Sequence, residues 1–285
     1  MLSGKLPKET DWLSLWCDLA IAQRGQREVG ESFASKERAQ EFETGSRRKG
    51  REKRQVFLEL LQNDLKPHET VLDIGGGTGR LAIPLAKVVS KVTVVEPAKA
   101  MSDILLEKAR AEDLKNINII QESWEEAVVE PHDIVICAHA MYSNTDFVGF
   151  VRKMEKSARR RCYLSLRLIP PDGIMAEISR EVWGNPNDSP NFIIAYNALY
   201  SMGIFASVLV EEDAFYWKSP DIENALEMAK RHLYLKATNE HDEYIRGVLM
   251  RRLTVKDGVY VWPDGMRGAY VWWNPYPKEQ QFAEP

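Results

Sequence analysis

Four glycines fall within five positions, Gly75, Gly76, Gly77 and Gly79, directly after the short and mostly apolar run Val71 to Ile74 in the stretch TVLDIGGGTGR. Glycine weakens regular structure, so a cluster of this kind implies positive φ angles or something bulky pressed against the main chain. A strand that delivers such a turn into a helix leaves free amides, and almost no side chains, at the carboxyl edge of a sheet. Open α/β folds bind their ligands there, and a nucleotide-like ligand is the leading inference.

The rest of the chain supplies the matching frame. Apolar runs at residues 70–74, 91–96, 117–121, 133–138, 162–168, 206–210 and 269–273 read as strands, several of them apolar almost throughout, as in a sheet covered on both faces. Amphipathic stretches at 81–89, 99–111, 147–156 and 192–201 fit helices between them. This alternation predicts an α/β fold with a doubly wound, mostly parallel seven-stranded sheet.

Two helices are expected ahead of it. In the first, Trp12, Leu15, Trp16 and Leu19 share a face; the second is charged and ends with 55–61, before Pro67. Between them the run Arg47, Arg48, Lys49, Arg51, Lys53 and Arg54 reads as a solvated face or as a docking strip. Residues 170–191, dense in proline, glycine and asparagine, read as a long loop excursion. Residues 219–253 read as a helical insertion, its first helix capped by Ser219 with Pro220 in the first turn. A hairpin turning at Asp264 and Gly265 is expected to complete the sheet. The predicted organisation is a helical cap at 1–65, a ligand-binding core at 66–218, a helical lid at 219–253 and a terminal hairpin at 254–285.

Composition narrows the partners. A net charge of −4 over 285 residues argues against a surface made mainly to hold nucleic acid. Cys17, Cys137 and Cys162 lie far apart, without metal-ligand or disulfide spacing. No apolar run of about eighteen residues and no leader pattern is seen, which predicts a cytoplasmic protein with no membrane contact, monomeric or homodimeric.

Three ligands compete for the turn. A phosphate-binding loop needs G-x-x-x-x-G-K-[ST], but the helix opens with Arg80 and Leu81, so it is rejected. A nicotinamide dinucleotide needs G-x-G-x-x-G/A, which Gly77, Gly79 and Ala82 satisfy with Glu96 as ribose ligand, so an NAD(P)-dependent oxidoreductase stays open. The third is S-adenosylmethionine. LDIGGGTGRLAIPLA, then VTVVEPA, then IIQESWEEA together resemble the class I S-adenosylmethionine-dependent methyltransferases. Asp73, two residues ahead of the first glycine, favours this reading, because a carboxylate repels a diphosphate and accepts from an ammonium.

The resemblance implies that Gly75, Gly76, Gly77, Thr78 and Gly79 let the backbone approach the cofactor S-adenosyl-L-methionine, whose product is S-adenosyl-L-homocysteine. It implies that Asp73 serves the amino acid end, Glu96 and the adjoining Pro97 the ribose, and Met101 the adenine face. Glu122, Ser123 and Trp124 match the segment at the adenine edge. The fourth strand ends in ICAHAMYSN, so the resemblance places Ala138 beside the sulfonium, with His139 as candidate general base and Tyr142 as candidate substrate contact.

The acceptor is approached by exclusion. The [DNS]-P-P-[YF] signature of amino-methylating nucleic-acid enzymes is absent at this strand end, and Cys137 has no neighbouring proline, as cytosine methylation would need. No clustered acidic residues suggest a metal. A small-molecule acceptor is what remains, with the aromatics Trp183, Phe192, Tyr196, Tyr200, Phe205, Phe215, Tyr216 and Trp217 as candidate pocket walls. Phe33, Arg38 and Phe42 are candidates to close over the cofactor, and Arg167 to face an anionic acceptor. A methyltransferase of protein or RNA docking through 47–54, and a cofactor-binding protein without catalysis, stay open as alternatives.

Overall fold

The structure is a computed structural model that describes residues 10–25, 35–41, 43–44, 55–185, 187–212, 216–233, 235, 238–263 and 265–275. Phe33, Phe42, Phe215, Asp264 and the basic run 47–54 lie outside the described residues.

Seven strands form one sheet. They are β1 (Thr70–Ile74), β2 (Lys91–Val95), β3 (Ile117–Ile120), β4 (His132–Ala138), β5 (Ala158–Leu168), β6 (Ser207–Val210) and β10 (Arg267–Trp273), in the order β3-β2-β1-β4-β5-β10-β6. The first five run parallel, whereas β10 lies antiparallel to both β5 and β6. An all-parallel dinucleotide sheet orders its strands 3-2-1-4-5-6, so the inserted antiparallel strand departs from that architecture.

Adjacent strand residues feed opposite layers, as the two-residue period of a strand requires. Leu72, Ile74, Val135 and Leu164 face one apolar core with α1 (Trp12–Gly25), α5 (Phe147–Ser157) and α7 (Phe192–Ser201). Val71, Val92, Val94 and Ile136 face the other with α2 (Val56–Asp64), α3 (Ala82–Ala86) and α4 (Lys99–Ala111). Trp16 and Leu61, from the two leading helices, are fully buried in these layers, so both expected helices exist and pack on the sheet. The helix expected over 81–89 is shorter, ending at Ala86.

Three expectations are corrected. The stretch 170–191 is not a continuous loop: it holds α6 (Ile174–Trp183), which buries Ile174, Met175 and Ile178 and ends on Gly184 at φ 68°. The first helix of the 219–253 insertion, α8 (Ile222–His232), is capped by Asp221, whose side chain accepts from the Asn224 amide, while Ser219 lies buried in the two-residue strand β7 (Lys218–Ser219). The hairpin turns at Asp257 and Gly258, both with positive φ as a two-residue I′ turn demands, and joins β8 (Thr254–Lys256) to β9 (Val259–Val261). With β7 these form a separate small sheet, β7-β9-β8, so the hairpin does not complete the large one; β10 does. Helices α6, α8 and α9 (Asp242–Arg252) share an apolar core with Trp262. That second core is attached directly after the carboxyl end of β5.

Candidate active site

The glycine turn is bare for two separable reasons. Gly75, Gly77 and Gly79 have φ of 67°, 56° and 81°, a region that side chains with a Cβ rarely adopt. Gly75 is also squeezed: a Cβ there would stand 2.2 Å from the Cβ of Ala140, just past the end of β4. A Cβ on Gly77 would meet only the Met101 methyl at 3.4 Å, so Met101 lies beside the turn.

Two carboxylates flank it. Asp73 is buried at 2% exposure, and its Oδ2 has no hydrogen-bond partner. Burial pushes its pKa up to about 7, Arg80 pulls it down and Glu96 reinforces the rise. Glu96 is buried too, but it accepts from the Gly77 amide at 3.0 Å and the Ala98 amide at 2.9 Å. Burial raises its pKa, and those two amides oppose the rise. A carboxylate has about four lone-pair positions, so Glu96 keeps acceptor capacity after both bonds. Asp73, by contrast, lacks a donor altogether at one buried oxygen. An orphan acceptor and a backbone cradle beside a second acid fit a ligand carrying an ammonium and a diol.

Two contributors escaped the sequence reading. Glu43, from a helical segment that begins at residue 36, accepts from the Thr78 hydroxyl at 2.5 Å. Lys108 of α4 reaches Glu43 at 3.1 Å and the Thr78 carbonyl at 2.6 Å. Ala39 of the same segment packs against Met101 and Ile104, so this leading helix clamps the turn from outside. The pair joins positions 65 residues apart, a separation no local pattern encodes.

At the end of β4, Ala138 pairs with Ser165 of β5, and His139 follows with φ 63°. His139 Nδ1 lies 3.0 Å from the Tyr142 hydroxyl and Nε2 lies 3.3 Å from Ser165 Oγ. The Arg167 amide donates to that same Tyr142 oxygen at 2.7 Å, so the tyrosine proton is directed to His139. One side of His139 is open to solvent, yet burial on the others, and then the Arg80 and Arg167 guanidiniums, hold the imidazole well below its ordinary pKa. The result is a neutral ring with both nitrogens engaged, which braces the loop. Cys137, wholly buried in β4, has its thiol pushed up to about 12 by burial and is no nucleophile at neutral pH.

The adenine-edge segment divides. The Trp124 indole is buried in the core, edge-on to Phe150 at 6.1 Å with Lys153 over its ring at 4.6 Å. Ser123 bonds Glu126 at 2.8 Å, and Glu122 and Pro97 are exposed.

Beyond Tyr142 the second core borders a half-open cleft of about 50 Å³ lined by Ile174, Met175, Trp217, Trp262 and Met266. Its titratable groups are Arg167, Asp188 and His232. Asp188, 4% exposed, receives His232 Nε2 at 2.6 Å and the Ser189 hydroxyl at 3.1 Å. Burial alone would raise its pKa; the His232 charge and hydrogen bond, with Arg167, outweigh that and hold it down. Of the described aromatics expected as walls, Trp217 alone lines this cleft, while Phe192 and Tyr196 pack in the main core, Trp183 against the second core, and Tyr200, Phe205 and Tyr216 are exposed. Among the described residues no cluster of acids, histidines or cysteines is arranged to hold a metal, and no helix is long and apolar enough to cross a membrane.

Fold and turn together define a Rossmann-like protein with a side-chain-free turn, flanked by two acids, at the carboxyl edge of its sheet. Comparison with known proteins bears on this segment. Residues 71–160 match a family model described as the methyltransferase domain. An uncharacterised protein of Haemophilus influenzae is 25% identical over 227 residues, covering 76% of this chain and 80% of its own length. The probable ribosomal RNA small subunit methyltransferase A of Methanosphaera stadtmanae is 41% identical over 64 residues, 22% of this chain and 24% of that protein. The crystal structure of the YcgJ protein from Bacillus subtilis superposes with a TM-score of 0.53 at 16% identity, covering 75% of this chain and 96% of that one, a likeness of fold. The matched segment, residues 71–160, is thus similar to a methyltransferase domain, and it contains the glycine turn, Asp73 and Glu96.

Proposed function

We propose that the protein transfers a methyl group from S-adenosylmethionine to a small molecule bound in the cleft between β5 and the second core, acting in the cytoplasm. The observation that carries this is the cleft itself: half-open, mostly apolar, holding a cation, an acid and a histidine, and joined to the glycine turn through Ala140, His139, Tyr142 and Arg167. Asp73 would hold the ammonium and Glu96 the ribose of the cofactor, with Met101 against the base. Methyl transfer from a sulfonium needs alignment above all, and a base where the nucleophile carries a proton. His232 is the group for that role. Asp188 occupies one ring nitrogen and would stabilise the imidazolium, leaving Nδ1 for the acceptor. The nucleophile's bond to the methyl carbon would form as the carbon–sulfur pair returns to sulfur, and its proton would pass to His232.

Titration calorimetry with S-adenosylhomocysteine and with NADH, followed by transfer of labelled methyl to a metabolite pool, to bulk RNA and to protein, tests this reading. Micromolar binding of the homocysteine adduct with label in the metabolite pool supports it. Binding of NADH instead, or label only in RNA or protein, overturns it. His232→Gln is expected to lower kcat about 100-fold with cofactor affinity unchanged, and the deficit should shrink for acceptors already ionised.

A further inference from the structure

Arg167 leaves the end of β5 as a cation that feels the charge of Asp188 but forms no ion pair among the described residues. Its guanidinium lies over the Tyr142 ring at 4.3 Å, which fixes its plane. One nitrogen approaches Ser189 Oγ at a long 3.4 Å, and Nε is buried with no partner. Among the described residues no carboxylate lies within ion-pair distance of it. Asp188, the acid in the same cleft, is already committed to His232 and Ser189. A buried guanidinium N–H left unpaired is expensive, so the site is incomplete as it stands.

We propose that Arg167 is the anchor for a carboxylate, so that the acceptor is a small organic acid with a flat apolar body. This rests on the cleft being the acceptor site, as argued above. Arg167 presents its free edge as a planar fork, the geometry that pairs two-to-two with a carboxylate. Trp217 and Trp262, edge to face at 5.2 Å, supply a wall for a ring or conjugated chain. A monoanion is favoured over a phosphate dianion because Asp188 shares the cavity and repels the second charge.

The test uses the full chain saturated with S-adenosylhomocysteine and three probes, benzoate, benzamide and phenyl phosphate, read by tryptophan fluorescence and calorimetry. Benzoate is expected to bind at least about tenfold more tightly than either of the others. Arg167→Gln should erase that preference while leaving S-adenosylhomocysteine affinity within about twofold, and Arg167→Lys, which keeps charge but loses the fork, should fall between. Equal binding of benzoate and benzamide, an unaltered preference in Arg167→Gln, or failure of all three probes against a protein that binds the homocysteine adduct would overturn the assignment. A protein that prefers benzoate but ignores the adduct would sink the methyltransferase reading and keep the anion site.

Discussion

The glycine turn and the acceptor cleft are built on different principles. One contiguous segment, from Asp73 to Gly79, makes the turn, and its shape follows from backbone angles and from how near Ala140 stands. The cleft is assembled from β5, α6, α8, residues 188, 217 and 262, and it exists only because a second core folds back over the sheet. The first is dictated by what the main chain can do, the second by which side chains tertiary packing brings together. Substitutions should therefore fail in different ways in the two places.

The largest expected effect breaks the turn. Gly75 and Gly184 share nearly the same φ, 67° and 68°, but a Cβ on Gly75 meets Ala140 at 2.2 Å while one on Gly184 meets nothing within 4 Å. Gly75→Ala combines left-handed strain with overpacking, together about 3 kcal/mol, and should reduce S-adenosylhomocysteine affinity at least about 100-fold. Gly184→Ala carries the strain alone, about 1 kcal/mol at the end of α6, and should leave that affinity unchanged. Chemical denaturation and calorimetry on both variants read the contrast directly. Equal losses of affinity would mean that close packing is not what the turn requires.

Asp73 sharpens the same comparison through pH. Its folded-state pKa stands near 7 against an ordinary 3.8, because burial penalises the charge. The folded state thus binds this proton more tightly than the unfolded chain does. Its stabilising contribution is complete below about pH 4 and is lost as pH rises through 7, a change of about 4 kcal/mol in the ligand-free protein. Asp73→Asn should flatten that dependence and raise Tm at pH 8, yet weaken S-adenosylhomocysteine binding about 30-fold by removing the charge that would meet the ammonium. Wild-type affinity should climb between pH 5 and 8 as the carboxyl ionises. A variant that binds as tightly as wild type would remove Asp73 from the cofactor site.

How far the sequence could be read follows the same division. Helices 99–111 and 192–201 fall on the expected bounds, the first as one amphipathic run between strands and the second as an apolar run that starts at the capping Asn191. Helix α6 was hidden because Pro170, Pro171, Gly173 and Gly184 crowd both its ends and make the whole stretch look like loop. The hairpin is expected at Asp264 and Gly265, whereas the chain turns at the other Asp-Gly pair, Asp257 and Gly258, because an Asp-Gly pair by itself does not fix which strands it joins. Around the turn, Asp73 and Glu96 were legible because their spacing from the glycines is local. Glu43, Lys108, Asp188 and Trp262 were not, because nothing in a one-dimensional pattern links 43 to 78 or 188 to 232.

The smallest effect belongs to the cleft and separates chemistry from cofactor binding. Asp188→Asn keeps the size of the side chain and can still meet His232, but it removes the charge that would stabilise a protonated ring. Burial makes the ionised Asp188 costly on its own, and the His232 contact at 2.6 Å offsets that, so the variant should change stability by no more than about 1 kcal/mol near neutral pH. In the wild type the depressed Asp188 pKa means that its contribution is present above the ordinary carboxylate range and disappears as pH falls through the lowered value; the variant should lack this acid-side loss. Turnover is expected to drop about tenfold with S-adenosylhomocysteine affinity unmoved, because the cleft and the turn share no residue. Calorimetry alongside single-turnover methyl transfer measures both. If Asp188→Asn weakened the cofactor as Asp73→Asn is expected to, the two regions would be one coupled site, and the backbone-built and side-chain-built halves could no longer be treated as independent.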